Sequence, residues 1–194
     1  MKHELLRYVE GDLFEPLLAL GTHQTVLVPH VCNNRGKWGK GFVVPLGRTF
    51  PAAQDAYLNW HAGKPPPEAT YFGGRTFQLG ATQALEVKTA PRIIVLNMIA
   101  QEMGGPRPLR YNALATCMDH VAEAYRGMPT GPEIRCPMFG SALAGGTGIS
   151  SSRWCWIVGC TEGLGRPCTI CRARCPTTGP CRMDDEPTHK IRQG

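Results

Sequence analysis

The sequence has no apolar run of the roughly 18 residues that a membrane-spanning helix needs, so we expect no transmembrane segment. The first residues, MKHELLRYVE, carry charges throughout and lack the apolar stretch of a secretory signal, which predicts a cytoplasmic location. The net charge of +6 forms no basic stripe, which argues against sequence-specific nucleic-acid binding. A modest positive balance suits an anionic ligand instead.

The chain is long enough to fold around its own core. Its 194 residues suit one domain, and 42% of them are apolar. A chain of this length buries roughly 70% of its unfolded surface, so neither a metal nor disulfides are required for stability. Low charge, at 19%, and few aromatics, at 8%, fit a soluble globular protein.

Strand and helix patterns alternate along the first three quarters of the chain. Strands are predicted at about 5–9, 25–31, 76–87, 92–99 and 133–138. Two helices are predicted between these strands: one over 42–60, broken at Pro51, and one from Tyr111 to near Gly127. The Pro- and Gly-rich residues 63–75 predict a surface connection. This alternation predicts an α/β layered fold with a largely parallel sheet. Ligands in such sheets bind beyond the carboxyl ends of the strands.

Asp12 follows the first predicted strand and Gly11. A carboxylate there can accept a hydrogen bond from an exocyclic amine such as adenine N6. The alternative is a turn residue or the N-cap of a short helix, which is common for Asp.

The second predicted strand runs into the segment His30–Phe42, HVCNNRGKWGKGF. Its glycines let backbone N–H groups approach a phosphate or ribose, and Asn33 and Asn34 can bond sugar hydroxyls. His30 is a candidate acid or base, or alternatively a strand-end histidine paired to a backbone group. Trp38 either stacks on a ligand or covers the core, and Lys37 and Lys40 suit solvent equally well.

A second glycine-rich loop, Gly140–Gly146, follows the last of these strands. Its small residues can expose consecutive N–H groups to a diphosphate. It lacks the Gly-Lys-Ser/Thr ending of a P-loop. Two such loops on one sheet edge, with Asp12 nearby, suggest one extended nucleotide-diphosphate site; two unrelated tight turns are the alternative.

Five separated segments together resemble a macrodomain, in order and spacing: RYVEGDLF (7–14), HVCNNRGKWGKGF (30–42), NMIAQ (97–101), RYNAL (110–114) and PMFGSALAGG (137–146). The most similar branch includes ADP-ribose 1''-phosphate phosphatases and hydrolases of terminal ADP-ribose on proteins. The resemblance covers about residues 5–147 and implies a three-layer α/β/α mixed sheet that binds ADP-ribose.

The resemblance implies a role for each segment. Asp12 would hold adenine N6, Asn33 to Phe42 would wrap the distal ribose, and Gly140 to Gly145 would cradle the diphosphate. His30 matches a histidine proposed as catalytic in phosphatase members. The implied ligand-binding set is Asp12, Leu13, Asn33, Asn34, Gly39, Lys40, Gly41, Phe42, Gly140, Ser141, Ala142, Leu143, Ala144 and Gly145. We expect no cofactor and no metal, a monomer, and ADP-ribose or an ADP-ribosylated substrate as partner.

Two departures from the family bear on activity. Hydrolase members that act on glutamate-linked ADP-ribose use a lysine near NMIAQ and an aspartate in the second glycine loop. This chain has no lysine between Val95 and Gln101, and Ala144 stands at the aspartate position. Their absence favours a non-catalytic reader module, whereas His30 favours hydrolysis of a phosphate or ester at the distal ribose.

Residues 148–194 form a tail of different composition, rich in Cys, Arg and Pro. Six of the nine cysteines lie there: Cys155, Cys160, Cys168, Cys171, Cys175 and Cys181. One short spacing, Cys168 to Cys171, is weak support for zinc, and disulfides are disfavoured in the cytosol. We favour a shifted reading frame or unselected sequence here, which would leave the domain without its last helix and strand.

Overall fold

A computed structural model describes residues 6–104, 108–125, 132–139 and 155–160. Only the backbone is described for 6–8, 10, 123–125 and 155–160. The second glycine-rich loop, with Gly140, Ser141, Ala142, Leu143, Ala144 and Gly145, lies outside the described residues. So does most of the cysteine-rich tail.

In the described part of the chain, seven strands form one sheet, with four helices packed on it. The strands are β1 (Leu6–Glu10), β2 (Thr25–Asn33), β3 (Thr70–Phe72), β4 (Thr82–Thr89), β5 (Arg92–Gln101), β6 (Glu133–Pro137) and β7 (Cys155–Cys160). The helices are α1 (Phe14–Leu18), α2 (Val43–Thr49), α3 (Pro51–His61) and α4 (Tyr111–Tyr125). The strand order is β1-β7-β6-β2-β5-β4-β3. The predicted break of the second helical segment at Pro51 is confirmed, because Pro51 opens α3.

The sheet is mixed, as the family resemblance implied, and the prediction of a largely parallel sheet is wrong. Strand β2 pairs in parallel with β5 and β6, whereas every other pairing among the described strands is antiparallel. The short turn at Ala90-Pro91 joins β4 to β5, and a connection of this length can only reverse the chain.

Three elements differ from the sequence-based expectation. The strand expected at 76–87 occupies Thr82–Thr89, and the Pro-rich connection contains the short edge strand β3. Strand β7, from the segment CWIVGC, pairs with both β1 and β6. The expectation that the sheet lacks its last strand is therefore wrong, because three consecutive apolar side chains give this segment strand propensity. The domain boundary at residue 147 stays a prediction.

The apolar side chains of β2 and β5 alternate between two cores. Val26, Val28, Ile93 and Val95 pack against α1, α2 and α3 on one face. Leu27, Ile94 and Leu96 pack against Val121 of α4 on the other. This alternation follows from the two-residue period of a strand and gives the three layers of an α/β/α sandwich.

The strand directions place several chain segments at one edge of the sheet. Strands β2, β5 and β6 run parallel, and β1 runs with them because both β1 and β6 are antiparallel to β7. The residues that follow β1, β2, β5 and β6 therefore leave the sheet at the same edge. This is the edge at which α/β sheets bind ligands.

Candidate functional site

Two of the sequence-predicted ligand segments meet at this edge. Phe14, two residues after Asp12, stacks on Phe42 with ring centroids 5.4 Å apart and an interplanar angle of 18°. The Asp12–Leu13 segment and the end of the glycine-rich loop are thus neighbours. The geometry brings together segments that are about 28 residues apart in sequence.

Asp12 is exposed, and its Oδ1 accepts a hydrogen bond of 2.6 Å from the backbone N–H of Phe14. This bond stabilises the turn into α1, so the alternative of a turn residue holds for one oxygen of the carboxylate, and the N-cap of α1 is Leu13. Leu13 is buried at 2% exposure and packs in the core beside Phe14 and Leu17. Its side chain is therefore structural, and only its backbone is available for contact with a ligand.

Asn33 organises the glycine-rich loop from within. Its Oδ1 accepts from the backbone N–H groups of Arg35 and Lys37, both at 3.0 Å, and its Nδ2 donates to Lys37 O at 2.6 Å. Tyr57 of α3 donates its hydroxyl to Asn33 O at 2.7 Å. Burial raises the pKa of Tyr57 well above its usual range, so the hydroxyl keeps this proton. The loop is preformed, with Asn33 bonded to its own backbone.

Asn34 ties the loop to the segment that follows β5. Its backbone N–H donates to Gln101 O at 2.8 Å, and its Oδ1 accepts from Met103 N at 3.2 Å. Gly39, Lys40 and Gly41 are exposed, and Gly41 has a φ of +76°. These three consecutive exposed residues form what we call the accessible stretch of the loop, where the two glycines let N–H groups approach a ligand without a side chain in between.

Gly36 is required by geometry. Its φ is +65°, and a Cβ built on it would lie 2.5 Å from Nδ1 of His61 at the end of α3. The His61 ring is itself held edge-on against Phe77, with centroids 4.9 Å apart. The backbone of the loop therefore passes directly over the end of α3, at a distance that only glycine permits.

His30 lies in the core beneath this loop. It is 1% exposed, and its Nε2 is 2.6 Å from Asn97 Oδ1. The rings of Trp38 and Phe42 pack on the imidazole, with centroid distances of 5.6 Å and 5.8 Å. Burial lowers the pKa of His30 to about 4, so the ring is neutral at physiological pH. The geometry favours the alternative of a structural strand-end histidine, but its partner is the side chain of Asn97, and the expected backbone partner is wrong.

The sequence analysis missed several residues that shape this region. Tyr57 and His61 shape the loop from α3, which reads as an ordinary amphipathic helix. Asn97 and Gln83 are fully buried amides inside apolar strands. A polar side chain at an inward-facing strand position is the signal by which these two could have been found. Among the described residues, no group of acidic, His and Cys side chains is arranged to hold a metal ion. No described helix has the length and hydropathy to cross a membrane.

No family model matches the chain. A solved macrodomain protein from Streptomyces coelicolor is 34% identical to it, with a TM-score of 0.50, over 67% of this chain and 77% of that one. The chain belongs to the macrodomain family. A second solved structure, of a protein of unknown function from Bacteroides thetaiotaomicron, is 30% identical to this chain, with a TM-score of 0.55 over 71% of this chain and 80% of that one.

A curated relative comes from Candida albicans and is named ADP-ribose 1''-phosphate phosphatase. It is 32% identical to this macrodomain over 56 residues, which are 29% of this chain and 35% of the relative. The chain thus spans about a third of the length of the curated relatives it matches.

Proposed function

We propose that this macrodomain binds ADP-ribose or an ADP-ribosylated group and hydrolyses a phosphate or ester at the distal ribose. The observation that carries the proposal is the Phe14–Phe42 stack, which joins the turn after Asp12 to the residue that follows the accessible stretch Gly39–Gly41. The name of the Candida albicans relative supports the same substrate class.

In this proposal Asp12 receives adenine N6 on its second oxygen, and the backbone of Leu13 lines the adenine. Gly39, Lys40, Gly41 and Phe42 face the distal ribose, with Asn33 and Asn34 holding the first half of the loop, up to Lys37, in place. Gly140 to Gly145 are proposed to cradle the diphosphate, since β6 leads towards the same edge. The positive net charge of the chain suits this ligand.

His30 is the candidate acid or base for hydrolysis at C1''. Its Nε2–H is engaged by Asn97, and its Nδ1 lies 3.7 Å from Cys32 Sγ. Proton transfer to a ribose substituent through this ring requires the overlying loop to open. This burial favours a second candidate function, a reader module that binds ADP-ribosyl groups and performs no chemistry.

Phosphate release from ADP-ribose 1''-phosphate separates the two functions. We expect the wild-type protein to release phosphate above a buffer blank, with ADP-ribose affinity measured on the same samples. In His30→Gln, a rate per folded molecule lower by about 10²–10⁴-fold would identify an acid or base. Equal rates would remove His30 from the mechanism, and tight binding by wild type without any release would establish the reader.

Asp12→Ala should weaken ADP-ribose binding by about 1–3 kcal/mol, because a charge-assisted hydrogen bond to the adenine amine is lost. Calorimetric titration measures this change. Part of the effect could come from losing the bond to Phe14 N, so Asp12→Asn serves as the matched control. Asn keeps an oxygen for Phe14 N but loses the charge that favours adenine N6. Affinity unchanged in both variants would contradict the placement of adenine.

A further inference from the structure

Four buried or half-buried polar residues lie in one row across four adjacent strands. In the sheet register, His30 of β2 is opposite Asn97 of β5, Asn97 is opposite Gln83 of β4, and Gln83 is opposite Tyr71 of β3. His30, Asn97 and Gln83 are each 1% exposed or less. Their side chains point to the face that α3 covers. Because buried polar side chains need hydrogen-bond partners, each residue of this row is expected to have one.

The hydrogen bonds of the row run in one direction. Asn97 donates its two amide hydrogens to Gln83 Oε1 at 2.8 Å and to Ala53 O at 3.2 Å. Gln83 donates its two amide hydrogens to Ala56 O and to the hydroxyl oxygen of Tyr71, both at 3.1 Å. Tyr71 in turn donates to Pro66 O at 3.1 Å.

The hydrogen bonds of Asn97 fix the tautomer of His30. Because both amide hydrogens of Asn97 have acceptors, its Oδ1 faces His30 Nε2 and must accept. His30 therefore carries its hydrogen on Nε2, and its Nδ1 is left without one. Bonds that polarise one another in a low-dielectric interior fix the orientation of each member more firmly than separate bonds do.

The row reaches the glycine-rich loop by two routes. Through His30 it supports the rings of Trp38 and Phe42. Through the carbonyls of Ala53 and Ala56 it holds α3, whose Tyr57 bonds Asn33 O. Asn97 is the one described side chain bonded to both His30 and α3. Apolar side chains could fill the same space, but they would not set the angle of the imidazole on which the loop rests.

We infer that Asn97 is a positioning residue for the loop Asn33–Phe42, and that Gln83 supports it from the next strand. The inference rests on the proposed function, in which this loop holds the distal ribose. It makes a specific claim about ligands: disturbing Asn97 should impair recognition of the distal ribose and spare recognition of the adenosine diphosphate part.

The test compares ADP-ribose with ADP, which lacks the distal ribose, by calorimetry on wild type and Asn97→Leu. We expect the preference of wild type for ADP-ribose over ADP to fall by about tenfold in the variant, because binding loses a preorganised loop. A merely structural loss of folded protein lowers both affinities equally and leaves the ratio unchanged. Leu96→Val, on the same strand but facing α4, is the matched control and should keep the wild-type ratio.

Two further measurements cover the case in which Asn97→Leu does not fold. Gln83→Met breaks the row one strand further from the loop and should lower the same ratio by a smaller factor. Long-range ¹H–¹⁵N spectra of the wild type should show the Nε2–H tautomer of His30. A retained ratio in a folded variant, or the Nδ1–H tautomer, would overturn the inference. A wild type that does not prefer ADP-ribose over ADP would instead contradict the proposed function itself.

Discussion

Lowering the pH from 7 to 4.5 should reduce the free energy of unfolding by about 2 kcal/mol through His30 alone. Burial lowers the pKa of His30 to about 4 in the folded protein, against an ordinary value of 6.5. Below pH 6.5 the unfolded chain binds a proton at this residue that the folded chain does not. Stability therefore falls as the pH drops through the window from 6.5 to about 4, and levels off below it.

Urea unfolding of wild type and His30→Gln at pH 7, 5.5 and 4.5 measures this contribution. Other titrating groups affect both proteins, so the difference between the two pH profiles isolates His30. Gln can still donate an amide hydrogen towards Asn97 Oδ1, which makes it the least disruptive replacement. Parallel profiles would mean that His30 takes up protons equally in the folded and unfolded states, which would contradict its burial beneath the loop.

Gly36→Ala should reduce the free energy of unfolding by about 2–3 kcal/mol. Part of this is the left-handed backbone conformation, which is unfavourable for any residue with a Cβ by about 1–2 kcal/mol. The remainder is the clash with the exposed ring of His61, which has to move aside and give up its edge contact with Phe77. Such an aromatic contact contributes about 0.5–1.5 kcal/mol. Chemical denaturation of the variant measures the total.

Two variants make this prediction specific. Gly39→Ala lies three residues along the same loop, where a Cβ would meet open space and φ is not positive, so it should change stability little. The double variant Gly36→Ala/His61→Ala should recover the clash contribution and leave the backbone contribution. A Gly36→Ala protein as stable as Gly39→Ala would contradict the close approach of the loop to α3.

Local patterns in the sequence predict the parts of the fold that depend on local physics. The apolar runs of β2 and β5 and the break at Pro51 are of this kind. Strand β3 is too short, and its surroundings too rich in Pro and Gly, to show a two-residue period. Strand β7 is stabilised by lying between β1 and β6, a gain that its own sequence does not display.

The candidate site divides in the same way. Asp12 and the glycine-rich loop are visible as motifs, because each follows a predicted strand. The contact of His30 with Asn97 depends on the register of β2 against β5, and residues 67 positions apart cannot be paired from one sequence. For the same reason the sequence could not choose between a catalytic and a buried, structurally bonded His30. The approach of Gly36 to His61 is equally non-local.

Calorimetric titration of the wild-type protein with ADP-ribose, ATP and NAD tests the central claim most directly. If Asp12, the loop Asn33–Phe42 and the loop Gly140–Gly145 form one site, ADP-ribose should bind with measurable heat, and ATP and NAD should bind much more weakly. ATP carries a phosphate where the loop Asn33–Phe42 is proposed to hold a ribose. NAD carries the nicotinamide ring at C1'', where the proposed ligands carry a hydroxyl, a phosphate or an ester. Absence of any heat with ADP-ribose at millimolar concentration, or equal affinity for all three nucleotides, would contradict the account.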